Sequence, residues 1–167
     1  MRGAVVLAAL AWLALPGLAL AALPEGLAGH WRGSFTDSEG KKAASAKIIA
    51  QGDAFEMDIS AAGAPHLNAK MEATERPHVF QVAAARSLFG LFESEQSSDP
   101  FEGPPLLWAR TTERALIAYR ISVANDGTLT LFRVGLESIE SGVEMSVQVR
   151  LDGKLAEDWR IMLEPVE

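Results

Sequence analysis

The chain contains no cysteine. That excludes disulfide scaffolds, thiolate zinc sites, cysteine nucleophiles and a lipid-modified N-terminal cysteine. Bases are scarce as well: 15 Lys+Arg stand against 22 Asp+Glu in 167 residues, a formal charge of −7. An acidic balance argues against nucleic acid as a partner, because a phosphate backbone needs a basic footprint. Only three histidines are present, His30, His66 and His78, with no H-x-x-H or H-E-x-x-H spacing among them. His66 and His78 open successive strands and fall at opposite ends, so a two-histidine metal clamp is not expected. The G-x-S-x-G nucleophile elbow, the Walker-type glycine loop and the dinucleotide fingerprint are missing too. The sequence therefore nominates no catalytic residue, no metal site and no cofactor, and the expectation is a protein that is not an enzyme.

Long apolar runs are confined to the N-terminus. Met1-Arg2 gives a short positive start, and Gly3 to Leu15 is almost wholly apolar. Pro16-Gly17 breaks that stretch, and Ala19-Leu20-Ala21 places small residues where a signal peptidase reads. This is the arrangement of a secretory signal peptide over residues 1–21. The alternative is an uncleaved anchor, since Gly3 to Leu23 is long enough to span a bilayer. Removing residues 1–21, which hold one base and no acid, leaves 146 residues and moves the formal charge from −7 to −8. A chain of that size, residues 22–167, forms one domain. No later stretch approaches about 18 consecutive apolar residues, so no membrane span is expected in the mature chain. The alanine-rich leader has a bacterial character, which points to the periplasm or the medium.

What fills the mature chain is alternation with a period of two. Phe55, Met57 and Ile59 alternate with Glu56, Asp58 and Ser60. Val143, Met145, Val147, Val149 and Leu151 alternate with Glu144, Ser146, Gln148, Arg150 and Asp152. One buried and one wet face is the mark of antiparallel sheet. Glu56, Asp58, Glu144 and Asp152 alternate with core positions and are expected to face solvent. Weaker strands read over 29–36, 43–51, 66–74, 78–83, 105–111, 114–123, 128–135 and 155–163, about ten in all. Between them stand hairpin turn residues: Asp37-Ser38-Glu39-Gly40, Gln51-Gly52-Asp53, Asn125-Asp126-Gly127 and Asp152-Gly153. No 10–15-residue helical stretch alternates with the strands, which argues against a parallel α/β sheet. Residues 84–104 depart from the pattern and read as a short helix or long loop carrying Leu88, Phe89, Leu91, Phe92 and Phe101.

Strands joined by tight turns hide their edges in a closed barrel or two stacked sheets. The expected fold is an all-β, antiparallel up-and-down barrel of 8–10 strands, with a β-sandwich as the alternative. Leu27-Ala28-Gly29-His30-Trp31-Arg32-Gly33 leads into the first strand. It resembles the Gly-x-Trp opening of the lipocalin and calycin barrels, including bacterial lipocalin-like domains. The resemblance implies that Trp31, beside Gly29, plugs one end of the barrel, with Arg160 of the last strand packed over the indole. A cation over an indole contributes about 0.5–2 kcal/mol. The chain departs from true lipocalins in lacking the long first loop with its helix and the Thr-Asp-Tyr type motif. A fatty-acid-binding-like or avidin-like barrel is equally similar.

Trp108, Arg110, Tyr119 and Arg133 interrupt three apolar strand faces. If those faces turn inward, they form an amphipathic pocket in which an arginine forks to a carboxylate or phosphate. The alternative puts the arginine heads in water with their stems packed on the wall. Ala46, Ala50, Ala69, Ala73 and Ala115 leave inner volume for a ligand, and Phe89 and Phe92 would close the mouth over it. The functional expectation is an exported lipocalin-like protein binding a small apolar or amphipathic ligand. Its alternative is a protein–protein interaction module, an inhibitor or accessory subunit, using residues 84–104.

Overall fold

The computed structural model describes residues 23–83 and 105–166. The expected leader over 1–21 and the expected helix or loop over 84–104 lie outside the described residues. The strands are β1 (Gly29–Asp37), β2 (Gly40–Gln51), β3 (Ala54–Ala61), β4 (Leu67–Ala73), β5 (Val79–Val82), β6 (Leu106–Thr111), β7 (Ala115–Val123), β8 (Leu129–Ile139), β9 (Gly142–Leu151) and β10 (Lys154–Pro165). Each pairs with its neighbours in sequence, and β1 pairs with β10 to close an antiparallel up-and-down barrel. The barrel expectation is borne out, and the sandwich is set aside. Closure gives every strand two neighbours, which reduces the pairing hazard of an open sheet, although the seam joins only Trp31–Gly33 to Leu163–Pro165.

Turn chemistry fixes the register. Asp152 and Gly153 both adopt positive φ, 47° and 78°. This is the backbone that a two-residue hairpin requires and that an Asp-Gly pair accepts at low cost. The Asp152 carboxylate also accepts the Leu129 N–H at 2.9 Å, tying this hairpin to β8. In β1, Gly33 sits where β10 approaches closely: a Cβ there would run into the Met162 carbonyl oxygen. A side chain would force the closing seam apart.

The inner face is apolar and tightly filled. In β9, Val143, Met145 and Val147 are 0% exposed, while the intervening residues are half-buried outside. Phe55 and Phe80 meet edge to face at 4.9 Å across the interior. Phe55, Met57, Met71, Phe80 and Met145 are each 0–1% exposed. Unbranched methionine fills irregular gaps well, and among the described residues side chains fill the middle of the barrel where the alanines suggest open volume. The outer face of β3–β4 carries Glu56, Asp58, Asn68 and Lys70. On these two strands the apolar side faces in and the charged side out, the inverse of a membrane-spanning barrel. Among the described residues, no helix is long and apolar enough to cross a membrane.

The two ends differ. At one, which takes the β2–β3, β4–β5, β6–β7 and β8–β9 turns, residues preceding β1 cross the opening. Leu27 is 0% exposed, and a Cβ on Gly26 would meet Ser138 Oγ of β8 at 2.8 Å. Trp31 packs against this core and its Nε1–H donates to the Leu27 carbonyl at 3.1 Å. The indole is folded beneath Gly29, whose Cβ position lies 3.5 Å from Nε1. Arg160 does not join it. The outward phase of β10 leaves Arg160 78% exposed beside Glu144 at 3.6 Å, so no cation covers the indole from this position.

Candidate functional site

At the opposite end the inner face changes character. Leu107 of β6, Arg120 of β7, Phe132 of β8 and Val149 of β9 form one cross-strand row on the inward side. Phe132 and Val149 are 2% and 8% exposed and form a floor. Leu107 and Arg120 are half-buried above it. Elsewhere around the rim, Phe35 of β1 and Trp159 of β10 pack with ring centroids 4.9 Å apart, both half-buried. Gly63, in the β3–β4 turn, keeps this place accessible: its Cβ position lies 3.5 Å from the Trp159 ring and 3.9 Å from Lys42 Nζ. The inner lining at this end is thus mostly apolar, with Arg120 the one arginine in it among the described residues.

The rim charges are not equivalent. Lys42 Nζ lies 2.6 Å from Asp37 Oδ2 and 2.7 Å from Glu39 Oε2. The hydrogen bond from Lys42 holds the Asp37 carboxyl below the usual carboxylate range, and the same bonds push the Lys42 ammonium up. That lysine is neutralised in place. Arg120, by contrast, forms no ion pair and donates no hydrogen bond among the described residues. A guanidinium with free donors against an apolar floor can fork to a carboxylate or a phosphate while the rest of the ligand lies on Leu107, Phe132 and the Phe35–Trp159 pair.

The nominated pocket residues lie elsewhere. Trp108, Tyr119 and Arg133 occupy one cross-strand row and Arg110 the next, so the structure does bring all four together. The row is on the outer wall, however, because Ala109, Ala118 and Val134, each the next residue along its strand, are 0–1% exposed inside. Trp108 and Tyr119 stack at 5.2 Å with planes 12° apart. Of the two orientations open for these residues, inward into a pocket or outward with the arginine stems packed on the wall, the structure shows the outward one. β6 and β7 are apolar on both faces, so their own alternation does not settle the phase. The signal lies in β8, where Phe132, Val134 and Leu136 form a stronger apolar series than Leu131, Arg133 and Gly135, and register carries that choice to its neighbours. Arg120 was missed for the same reason. Phe89 and Phe92 lie outside the described residues.

The histidines fall at opposite ends. His66 Nε2 sits 2.8 Å from Asp58 Oδ1 on the exposed surface, and His78 occupies the β4–β5 turn at φ 61° near Thr111. Among the described residues no three His, Asp or Glu side chains gather to hold a metal ion. Two open depressions of about 400 and 450 Å³ lie over β2–β4 and over β1, β2 and β10, with charged linings. Comparison of the chain with protein-family models, with curated proteins and with solved structures yields no match.

Proposed function

We propose that this is an exported binding protein, lipocalin-like in use as in outline, whose Arg120 end takes a small amphipathic anion. The single observation that carries the reading is the inward Arg120 standing over the Phe132–Val149 floor without an acidic partner among the described residues. Burying part of a guanidinium is unfavourable unless its donors are satisfied, and a ligand carboxylate or phosphate satisfies them. The filled interior limits the ligand to the mouth. Polar contact is made at Arg120, and an acyl or aryl tail lies across the apolar lining of this end rather than down the barrel axis. The reading is of binding without catalysis: the lysine at this rim, Lys42, is held by Asp37 and Glu39. The leader-like residues 1–21 support a bacterial periplasmic or secreted location.

Titration of the purified protein with laurate, followed by native mass spectrometry, tests this. We expect a one-to-one complex, and in Arg120→Met a loss of affinity of about 10- to 100-fold, the value of a charge-assisted hydrogen bond. The circular dichroism of the variant checks that the barrel is intact. Equal affinity in the folded variant, or no laurate complex at all, overturns the reading.

A further inference from the structure

The outer wall of β6–β8 is unlike the rest of the barrel surface. Where β3 and β4 present alternating charge, this wall presents Leu106, Trp108, Tyr119 and Ile121, with Leu129 at its edge. Leu106 is 55% and Leu129 42% exposed. In a chain of net charge −7, β6 and β7 contain no acid, and the one acid of β8, Glu137, lies toward the Trp31 end. Two arginines stand in this field. Arg110 neighbours Ile117, and Arg133 directly continues the Trp108–Tyr119 row. The Arg133 guanidinium lies against Gly135, 3.8 Å from the Cβ position of that glycine, so it is laid along the wall.

We propose that this wall is a docking site for a short acidic segment of a partner polypeptide that also carries apolar side chains. Strand addition is excluded as the mode, because every strand of the closed barrel is already paired on both sides. Side chains must therefore make the contact: apolar groups on Leu106 and the stacked rings, carboxylates on Arg133 and Arg110. The area sets the size of the partner. Three to four strands at about 4.8 Å and four side-chain rows at about 6.8 Å give on the order of 400–500 Å². A second copy of the chain would need about 800 Å² per side. It would also bring its own net negative charge and set arginine against arginine. A lipid surface fits less well, because Arg133 sits inside the apolar field and would be carried into hydrocarbon, where a charged side chain is costly. A carboxylate accepts both of its donor edges. This site is independent of the Arg120 site, on the other side of the sheet.

The test uses the purified protein and a fluorescein-labelled decapeptide alternating Glu with Leu and Phe. Its companion carries Gln in place of every Glu. Fluorescence anisotropy is expected to show saturable binding of the acidic peptide and at least tenfold weaker binding of the Gln peptide. Arg133→Gln and, separately, Arg110→Gln should each weaken the acidic peptide several-fold or more, while Lys47→Gln on the opposite wall changes nothing. Four results overturn the proposal. The two peptides bind alike; both arginine variants bind like the parent; phosphatidylcholine–phosphatidylglycerol vesicles bind while the peptides do not; or the peptide binds only after residues 88–102 are deleted, which would make the chain's own segment the occupant.

Discussion

Arg120 and Lys42 show how two cations on one rim acquire different roles. Lys42 is held by Asp37 and Glu39, whereas Arg120 meets no acid among the described residues. The Asp37–Lys42 pair has a consequence of defined sign. A carboxyl whose folded pKa is lowered contributes stability that is complete above its unfolded value, about 3.9, and is lost as the pH falls through the lowered folded value. The hydrogen bond from Lys42 is the largest cause of that lowering. Lys42→Met should therefore melt below the parent at pH 6, and the difference should shrink as the pH falls below about 4, where the parent also loses the pair. Thermal melts at pH 6, 4 and 3 check this, and a constant difference across the series would show that Asp37 is not held by Lys42.

Among the elements, β5 is the shortest, four residues with three paired positions on either side, while β9 pairs along almost its whole length with both neighbours. Local opening is easiest where few paired amides and few buried side chains must be given up. The amides of Val79–Val82 should exchange with solvent faster than those of Val143–Val149 in native-state hydrogen exchange, by 10-fold or more. Equal protection would mean that the barrel opens only as a whole. The same two strands show what the sequence makes legible. β9 declares both its limits and its phase, because five apolar residues alternate strictly with polar ones and an Asp-Gly turn follows. The β6–β7 hairpin declares only its limits. Its two faces are nearly equal in hydropathy, and the choice between them is made by β8 through register, a non-local decision that a window along the chain does not contain. Hence Trp108, Arg110, Tyr119 and Arg133 group correctly from the sequence while their orientation stays open, and Arg120 was hidden among them.

At the scale of the whole molecule, ten short strands and tight turns were legible in the sequence, because each is local. Whether the barrel is hollow was not, since that depends on how Phe55, Met57, Met71, Phe80 and Met145 meet across it. The filled middle moves any ligand to the mouth and makes the barrel a rigid support with two differentiated surfaces. The three tryptophans of the described residues mark three places: Trp31 at the end where the chain enters β1, Trp108 on the apolar outer wall and Trp159 at the Arg120 end. Their indole N–H signals in a proton–nitrogen correlation spectrum, followed while laurate is added, test the central claim most directly. The account predicts that the Trp159 signal moves and saturates while those of Trp31 and Trp108 stay in place. Movement of Trp31 or Trp108 with Trp159 unmoved would contradict it.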